Sequence, residues 1–504
     1  MTVLAIHGHF YQPDRRDPVS GCVPDDASAA PAPNWNERIA TECYRPNAIA
    51  GNFTRIGWDA GPTLLLWLRE AHPDVHAALA MAAAPSLPPR VRSGRRPVGP
   101  SGRGAMAQGF HHAILPLAID RDRRTEIIWG TEDFALRFGR APEGFWLPEC
   151  VVDLATLRDL ADAGISYVIL APWQAADWVD TRRPYRVELG EGRRIVVMFY
   201  DGGMSSDISF RDEASSNADR FMSEYVASRS ETLPDGSEPI VLVATDGELY
   251  GHHKSYRDWF LRALPEAAER AGVRLRTLGD IVAELDVAAL PEVHINERTS
   301  WSCHHGALRW GETLVDAEGV HRPGTTCWCT GESDWKPALR VAFDRLADRL
   351  DRASEDFFTA RGLDFWAIRD RYAPVAAGFA DPDAFAWAAV AGSPIAGDPD
   401  ATLLVRDLLD AARSRLAMFT SCAWFWDDPS RPETLACLRY AAHALATVRR
   451  ITGVDAEPEL LADLAVIRSL RTGESGDDLY RRMRESDAPV SIDPALVQPL
   501  AAAA

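Results

Sequence analysis

The sequence predicts an α/β protein with a parallel sheet or barrel, followed by an all-helical region. Short apolar runs bounded by turn residues recur between longer segments of helical spacing, which is typical of buried strands alternating with helices. The predicted strands cover residues 3–6, 144–147, 167–170, 195–199 and 240–244. The predicted helices between them cover residues 121–138 and 154–163.

After about residue 330 the strand pattern stops and amphipathic helices are predicted. These helices cover residues 338–361, 403–418, 432–451 and 457–471. We therefore expect four regions: a catalytic domain over 1–295, a Cys-, His- and Trp-rich junction over 296–335, a helical domain over 336–485 and a loose tail over 486–504. Within the first region, residues 82–105 hold five Arg, five Pro, four Gly and no acidic residue. We interpret them as a linker or a frameshifted stretch rather than a basic loop over a site.

Composition excludes several classes of protein. A net charge of −19 argues against a nucleic-acid partner, because phosphate binding requires concentrated Lys and Arg. No apolar stretch approaches the roughly twenty residues of a membrane span, so no membrane partner is expected. The eight Cys are scattered without a small-domain disulfide framework, and the N-terminal apolar run is too short for a signal peptide. These features favour the cytoplasm.

Two runs place a carboxylate among aromatic, Gly and His residues directly after a predicted strand. Glu149 ends the run Gly-Phe-Trp-Leu-Pro-Glu, and Asp246 opens the run Asp-Gly-Glu-Leu-Tyr-Gly. Two carboxylates at strand ends are the minimum equipment for hydrolysing a glycosidic bond. Near the N-terminus, His7 and His9 project to the same side of an extended chain, where their nitrogens suit sugar hydroxyls or a metal ion.

Four motifs resemble, in order, those of glycoside hydrolase family 57. They are His-x-x-Gln-Pro at His9, Gln12 and Pro13, the run over 108–117, Trp-Leu-Pro-Glu over 146–149 and the Asp246 run over 246–251. The resemblance spans about residues 1–330. It implies an incomplete (β/α)7 TIM-like barrel followed by a C-terminal α-helical bundle. An extra His at position 7, and His112-Ala113 where His-Pro is commoner, depart from the family pattern and leave the specificity open.

By position, the resemblance implies that Glu149 is the nucleophile and Asp246 the general acid/base of a retaining mechanism. Retention requires the two carboxyl groups to lie about 5–6 Å apart. Glu248 is a competitor for the role of acid. The alternative for Glu149 is a cap on the helix that begins near Asp153.

Further side chains are expected to bind the sugar, with core packing as the alternative for the His and Trp residues. They are His7, His9, Gln12, His111, His112, Trp146, Glu248, His252, Trp301, His304, Trp424 and Trp426. A second cluster comprises Cys303, His304, His305, Cys327 and Cys329, which together could form a tetrahedral metal site. Because the spacing is not that of a zinc ribbon, we expect a structural junction with His304 or His305 lining the pocket, and no metal.

The sequence thus favours a cytoplasmic retaining glycosidase or transglycosylase that acts on α-linked glucan without a cofactor. Two alternatives stay open. One is a metal-dependent carbohydrate hydrolase or deacetylase on a similar barrel, with His7, His9 and Asp246 as ligands. The other is a non-catalytic glycan-binding protein that keeps the cleft.

Overall fold

A computed structural model describes residues 1–84 and 102–485 of the chain. These residues form two compact units, each built from several segments. The first unit comprises residues 1–12, 39–110 and 126–304, and the second comprises residues 13–38, 111–125 and the chain from 305 onward. The expected linker or frameshift falls mainly on residues 85–101, and the expected loose tail on 486–504, both outside the described residues.

The first unit holds a nine-stranded sheet in the order β6-β7-β5-β4-β3-β2-β1-β8, with β9 beside β1. All neighbouring strands are parallel except β6 and β7. This confirms the predicted α/β class and all five predicted strands. The strands are β1 (Val3–Phe10), β2 (Gly57–Ala60), β3 (Ala105–Gln108), β4 (Gly144–Trp146), β5 (Tyr167–Leu170), β6 (Pro184–Gly190), β7 (Arg193–Phe199), β8 (Ile240–Asp246) and β9 (Arg274–Leu275).

Helices separate most of these strands along the chain, as the alternating pattern predicts. The predicted helices over 121–138 and 154–163 are present as α5 and α6. The helices up to residue 282 are α1 (Trp35–Ile39), α2 (Arg45–Ala50), α3 (Pro62–Ala71), α4 (Pro73–Ala83), α5 (Asp120–Phe138), α6 (Leu154–Asp162), α7 (Gly202–Phe210), α8 (Ala218–Phe221), α9 (Arg257–Arg270) and α10 (Leu278–Val282).

The second unit is mainly helical, with one antiparallel hairpin of β10 (Thr313–Val315) and β11 (His321–Pro323). The predicted loss of strands is confirmed, since no strand follows residue 323 in the part of the chain that the structure describes. The predicted helix over 457–471 ends earlier, at Leu464. Its helices are α11 (Trp335–Thr359), α12 (Phe365–Asp370), α13 (Ala373–Ala376), α14 (Pro382–Val390), α15 (Pro399–Ala417), α16 (Cys422–Phe425), α17 (Pro432–Thr452), α18 (Glu457–Leu464) and α19 (Gly476–Glu485).

Strand register decides which side chains meet at the end of the sheet. His9, at the end of β1, is in register with Asp59 on β2 and with Asp246 on β8. Residues in register on parallel strands point to the same face, so the three side chains emerge together. Within residues 1–84 and 102–485, every helix is too short or too polar to cross a lipid bilayer.

Candidate active site

A buried carboxylate joins the two N-terminal histidines. Asp59 Oδ1 accepts a hydrogen bond from His7 Nε2 at 2.9 Å, and Asp59 Oδ2 accepts one from His9 Nδ1 at 2.8 Å. All three side chains are buried. The two histidines therefore do face the same side of β1, as predicted, but the ring nitrogens nearest Asp59 are already used. Asp59 itself was not predicted.

Burial and charge set the protonation of this group. Burial alone would lower the pKa of His9, but Asp59, by charge and hydrogen bond, and then Asp246 and Glu248 by charge, raise it to about 9. Burial lowers the pKa of His7 despite its bond to Asp59. Burial would raise the pKa of Asp59, but the two imidazoles lower it. At neutral pH the group is therefore a carboxylate between a neutral His7 and a cationic His9.

Trp146 packs beside the two histidines. Its ring stacks on His9 at 4.8 Å between centroids and on His7 at 5.2 Å, and it meets Trp301 edge-on at 4.8 Å. The side chain is fully buried. A sugar platform needs an exposed ring face, so this placement favours the alternative of core packing for Trp146.

Glu149 follows β4 directly, and its carboxylate is held by a second loop. Glu149 Oε2 accepts hydrogen bonds from Ser302 Oγ at 2.7 Å and from Trp301 Nε1 at 3.3 Å. Its backbone lies in the left-handed region, with a φ of 56°. The capping alternative is not supported, because the side chain that caps α6 is Asp153.

Asp246 and Glu248 occupy different environments although only Gly247 separates them. Asp246 is exposed at the end of β8. Glu248 is buried, and its Oε1 accepts hydrogen bonds from Tyr44 Oη at 2.6 Å and from the Tyr11 backbone N–H at 3.0 Å. Burial, partly offset by the Tyr44 bond and reinforced by Asp246, raises the pKa of Glu248 to about 7.

Gly247 is required where it stands. A Cβ atom on this residue would lie 2.4 Å from Cδ1 of Phe10, a distance that side chains do not reach without movement. The close approach brings the chain after β8 against the end of β1. It is therefore part of what places Asp246 and Glu248 beside His9.

Three carboxylates of the site affect the buried thiol of Cys150. Burial raises the pKa of this thiol well above its usual value, and the charges of Glu149, Asp59 and Asp246 raise it further. Burial likewise raises the pKa of Tyr200, with Cys150 and Asp246 adding to the effect. Glu149 and Asp246 therefore act on the same buried thiol from different strands.

Other predicted residues of the first unit lie on loops. Trp301 is half-buried, and His304 is exposed, with its ring 6.3 Å from that of Trp173. Gln12 is half-buried just after β1. His252 Nδ1 lies 2.5 Å from Glu42 Oε2, so this ring nitrogen is held by a carboxylate.

The remaining predicted residues belong to the second unit. The His112 backbone carbonyl accepts a hydrogen bond from the Ser421 N–H at 3.1 Å, and His112 Nδ1 lies 2.7 Å from Ser421 Oγ. The carbonyl of buried His111 accepts a hydrogen bond from Thr420 Oγ1 at 3.0 Å. These contacts tie the two histidines to the loop after α15.

Trp424 and Trp426 differ in exposure. Trp424 is fully buried, donates its indole N–H to the Lys336 carbonyl at 3.0 Å and packs edge-on against Phe343 at 5.8 Å. This favours the packing alternative for Trp424. Trp426 is half-buried, and the guanidinium of Arg431 lies 4.3 Å from its ring centroid.

The sequence left open whether His7 and His9 bind a sugar or, with Asp246, a metal ion. His7, His9 and Asp246 do not form a group of mutually close donor atoms; among the residues described here, the one such group lies in the segment 303–329.

Several residues of the site were not predicted from the sequence. Asp59, Tyr11, Tyr44, Tyr200 and Ser302 hold or surround the carboxylates. Asp59 carried a weak signal, because it lies in a short apolar run, Gly-Trp-Asp-Ala, that forms β2. The tyrosines and Ser302 carried none, since their roles depend on segments that meet only in the fold.

Two parts of the chain match models of known protein families. Residues 105–294 match the model of glycosyl hydrolase family 57, and residues 332–493 match a model described as a domain of unknown function (DUF3536). The chain is 30% identical over 110 residues to alpha-amylase 1 of Dictyoglomus thermophilum, covering 21% of this chain and 13% of that protein. It is 25% identical over 260 residues to a probable 1,4-alpha-glucan branching enzyme of Mycobacterium tuberculosis, covering 43% of this chain and 49% of that protein.

The chain thus spans less than half the length of either curated relative. Among solved structures, an exo-type maltose-forming amylase from Pyrococcus sp. ST04 is similar in fold, with a TM-score of 0.69 at 14% identity over 96% of this chain and 88% of that chain. The motifs around Glu149 and Asp246 both fall inside the matched segment. Residues 105–294, which include both carboxylates, therefore match the glycosyl hydrolase family 57 model.

Proposed function

We propose that the chain is a retaining glycoside hydrolase or transglycosylase that acts on α-linked glucan, with Glu149 as nucleophile and Asp246 as general acid/base. The observation that carries the proposal is the Glu149 carboxylate held by Ser302 and Trp301 beside the His9–Asp246 strand ends. The amylase and branching enzyme among the relatives support glucan as the substrate class.

Glu149 has the environment of an ionised nucleophile. Hydrogen bonds from the Ser302 hydroxyl and the Trp301 indole favour the charged form of a carboxylate and fix its direction. The side chain is half-buried rather than sealed, so it is accessible to an anomeric carbon. In the first step Glu149 attacks that carbon, the glycosidic C–O bond breaks, and the acid gives its proton to the leaving oxygen.

Asp246 is proposed as that acid because its carboxyl is exposed at the end of β8, where a leaving oxygen can reach it. In the second step it takes a proton from water or from a sugar hydroxyl, and that oxygen attacks the anomeric carbon and releases Glu149. Glu248 is the second candidate. Its pKa of about 7 suits an acid near neutrality, but its carboxyl is buried under Tyr44.

Chemical rescue with azide distinguishes these roles. In a retaining α-glycosidase, azide in place of the nucleophile attacks the substrate directly and gives the β-glycosyl azide. When the acid/base is missing, azide attacks the glycosyl-enzyme and gives the α-glycosyl azide. With α-glucosyl fluoride, we expect the β product from Glu149→Ala and the α product from Asp246→Ala. An α product from Glu248→Ala instead of Asp246→Ala would transfer the acid role to Glu248.

The finer architecture is also part of the proposal. The seven parallel strands β7, β5, β4, β3, β2, β1 and β8 are proposed to form the incomplete (β/α)7 barrel of the family, and α11–α19 a helical bundle. In support, the N–H of Asp201, just beyond β7, donates to the Leu242 carbonyl of β8 at 2.7 Å, which links the two ends of the strand order. The absence of disulfides among the eight cysteines, all described, supports a reducing cytoplasm.

Product analysis with amylose tests the substrate class and separates hydrolysis from transfer. Shortened chains indicate hydrolysis, a redistributed set of linear chains indicates disproportionation, and new branch points indicate branching. The matched controls are Glu149→Gln, expected to be inactive, and Glu132→Gln, an exposed acid on α5 expected to behave as the wild type. Unchanged amylose, together with acetate release from an acetylated oligosaccharide, would replace the proposal with the deacetylase alternative.

A further inference from the structure

Three potential metal ligands of the second unit lie together. One donor atom from each of His305, Cys327 and Cys329 lies within 4.8 Å of the others. The closest pair is His305 Nδ1 and Cys329 Sγ, 3.1 Å apart. None of these cysteines forms a disulfide.

These separations fit a tetrahedral zinc site. With Zn–S bonds of about 2.3 Å and Zn–N bonds of about 2.0–2.1 Å, tetrahedral geometry separates neighbouring ligand atoms by roughly 3.5–3.8 Å. The closest pair is 3.1 Å apart and the other separations are within 4.8 Å, so the donor atoms are close enough to share one ion. Thiolate sulfur and imidazole nitrogen are also the ligand types that zinc selects.

Backbone contacts hold the two ligand-bearing segments together independently of the thiols. The Cys327 N–H donates to the Leu308 carbonyl at 3.3 Å, and Thr326 Oγ1 donates to the same carbonyl at 3.1 Å. Leu308 lies in the short helical turn Gly306–Trp310, directly after His305. After Cys329, the chain turns back through a hydrogen bond from the Gly331 N–H to the Trp328 carbonyl at 3.1 Å.

A fourth ligand stands next to the first in sequence. Cys303 precedes His305 by two residues, so the short chain between them keeps the Cys303 thiol near the His305 imidazole. Its own turn is fixed, because Ser300 Oγ accepts a hydrogen bond from the Cys303 N–H and donates one to the Cys303 carbonyl, both at 3.1 Å. The ligand order is then Cys-x-His followed by Cys-x-Cys.

We propose that Cys303, His305, Cys327 and Cys329 bind one zinc ion in a closed, structural site. Binding releases the thiol protons and places three thiolates and one imidazole on the metal, which leaves no open position for a substrate. The ion would cross-link the chain on both sides of the β10–β11 hairpin. This inference is independent of the glycosidase proposal, because none of the four ligands belongs to the proposed catalytic pair.

The test is metal analysis of the full-length protein, purified under reducing conditions without a chelator and with any affinity tag removed. We expect about one zinc per chain by elemental mass spectrometry. The Cys329→Ser variant should lose most of its zinc on dialysis against a weak chelator. The Cys22→Ser variant should keep it, since both residues are exposed and only one is a proposed ligand. Because Cys329 is exposed, its variant is expected to fold.

Cobalt substitution gives a second readout that does not depend on activity. Co²⁺ in place of zinc should produce a thiolate-to-metal charge-transfer band in the wild type and in Cys22→Ser, and a weaker, shifted band in Cys329→Ser. A wild-type protein with fully reduced thiols that carries no zinc and shows no charge-transfer band would overturn the proposal. So would a disulfide between any two of Cys303, Cys327 and Cys329 in the freshly purified protein.

Discussion

Asp59 and His9 form a buried ion pair between adjacent strands, with Asp59 Oδ2 2.8 Å from His9 Nδ1. This pair keeps a positive charge next to Asp246 and Glu248, both of which raise the pKa of His9. Because removal of one partner from a buried pair leaves the other charge uncompensated, the pair is a sensitive point of the site.

Replacement of Asp59 by Asn should remove the charge that keeps His9 protonated. The pKa of His9, about 9 in the wild type, should fall, and the titration profile of its imidazole followed by NMR should move to lower pH by about one unit or more. Asp219→Asn, at an exposed ion pair with Arg270, is the control and should leave the profile unchanged. A His9 titration that stays in place in Asp59→Asn would show that Asp59 does not keep His9 charged.

Glu248 should make the protein less stable as pH rises, which is the reverse of the usual effect of a carboxyl group. Its folded-state pKa of about 7 lies above the ordinary value of 4.5, so the folded protein binds more protons than the unfolded chain between these values. Stability therefore falls as pH rises through this window, and the full cost, up to about 3 kcal/mol, is present above the folded-state pKa.

The Glu248→Gln variant tests this dependence, because Gln keeps an oxygen for Tyr44 and Tyr11 but does not ionise. Relative to the wild type, its free energy of unfolding in urea should increase as pH rises from about 4.5 to 7. A constant difference between the two proteins across that range would show that the carboxyl is not buried as a neutral acid.

Because the backbone of Glu149 is left-handed, we expect a Gly variant at this position to be more stable than an Ala variant. At most positions Gly is less stable than Ala, but at a φ of 56° the Cβ of Ala is strained. Glu149→Gly should therefore be more stable than Glu149→Ala by about 1 kcal/mol, with both inactive. Thermal unfolding of the two variants measures the difference, and a more stable Ala variant would mean that the backbone is not held in this conformation.

Ser302 should contribute to catalysis through the direction and charge of Glu149. Loss of its 2.7 Å hydrogen bond should lower kcat/KM for Ser302→Ala about tenfold, the effect of one hydrogen bond to a charged group at a partly exposed position. Ser228→Ala is the matched control, because the Ser228 hydroxyl donates to the Tyr225 carbonyl and accepts from the Arg229 guanidinium rather than bonding a carboxylate of the site. Equal activity of the two variants would show that the Ser302 hydroxyl does not contribute to catalysis.

Much of the fold can be predicted from the sequence, because apolar runs and helical spacing are patterns within short stretches of the chain. The apolar runs of β1, β4, β5, β7 and β8 are visible in this way. In contrast, β2 (Gly-Trp-Asp-Ala) and β3 (Ala-Met-Ala-Gln) are short and mix polar and small residues, so neither forms a continuous apolar run. The helix predicted over 457–471 is longer than the observed one because polar and apolar residues continue its pattern beyond Leu464.

The candidate site can be predicted only in part, because some of its residues are far apart in sequence. Glu149 and Asp246 are marked by their neighbours in sequence, but Asp59 is recognised only when β1 and β2 are placed in register. Burial distinguishes Trp146 and Trp424 from Trp301, and sequence carries no direct record of burial. The Cys and His cluster was not expected to bind metal, because its spacing differs from that of known ribbons although the fold brings the donors together.

The most direct test of the central claim is to trap the covalent intermediate. A 5-fluoro-α-glucosyl fluoride reacts with the nucleophile of a retaining α-glucosidic enzyme and leaves a slowly hydrolysed adduct, which peptide mass spectrometry locates. We predict an adduct on Glu149, absent from the Glu149→Gln variant. An adduct on Asp246 or Glu248, or a Glu149→Gln variant that processes maltooligosaccharides at the wild-type rate, would contradict the assignment of Glu149 as nucleophile.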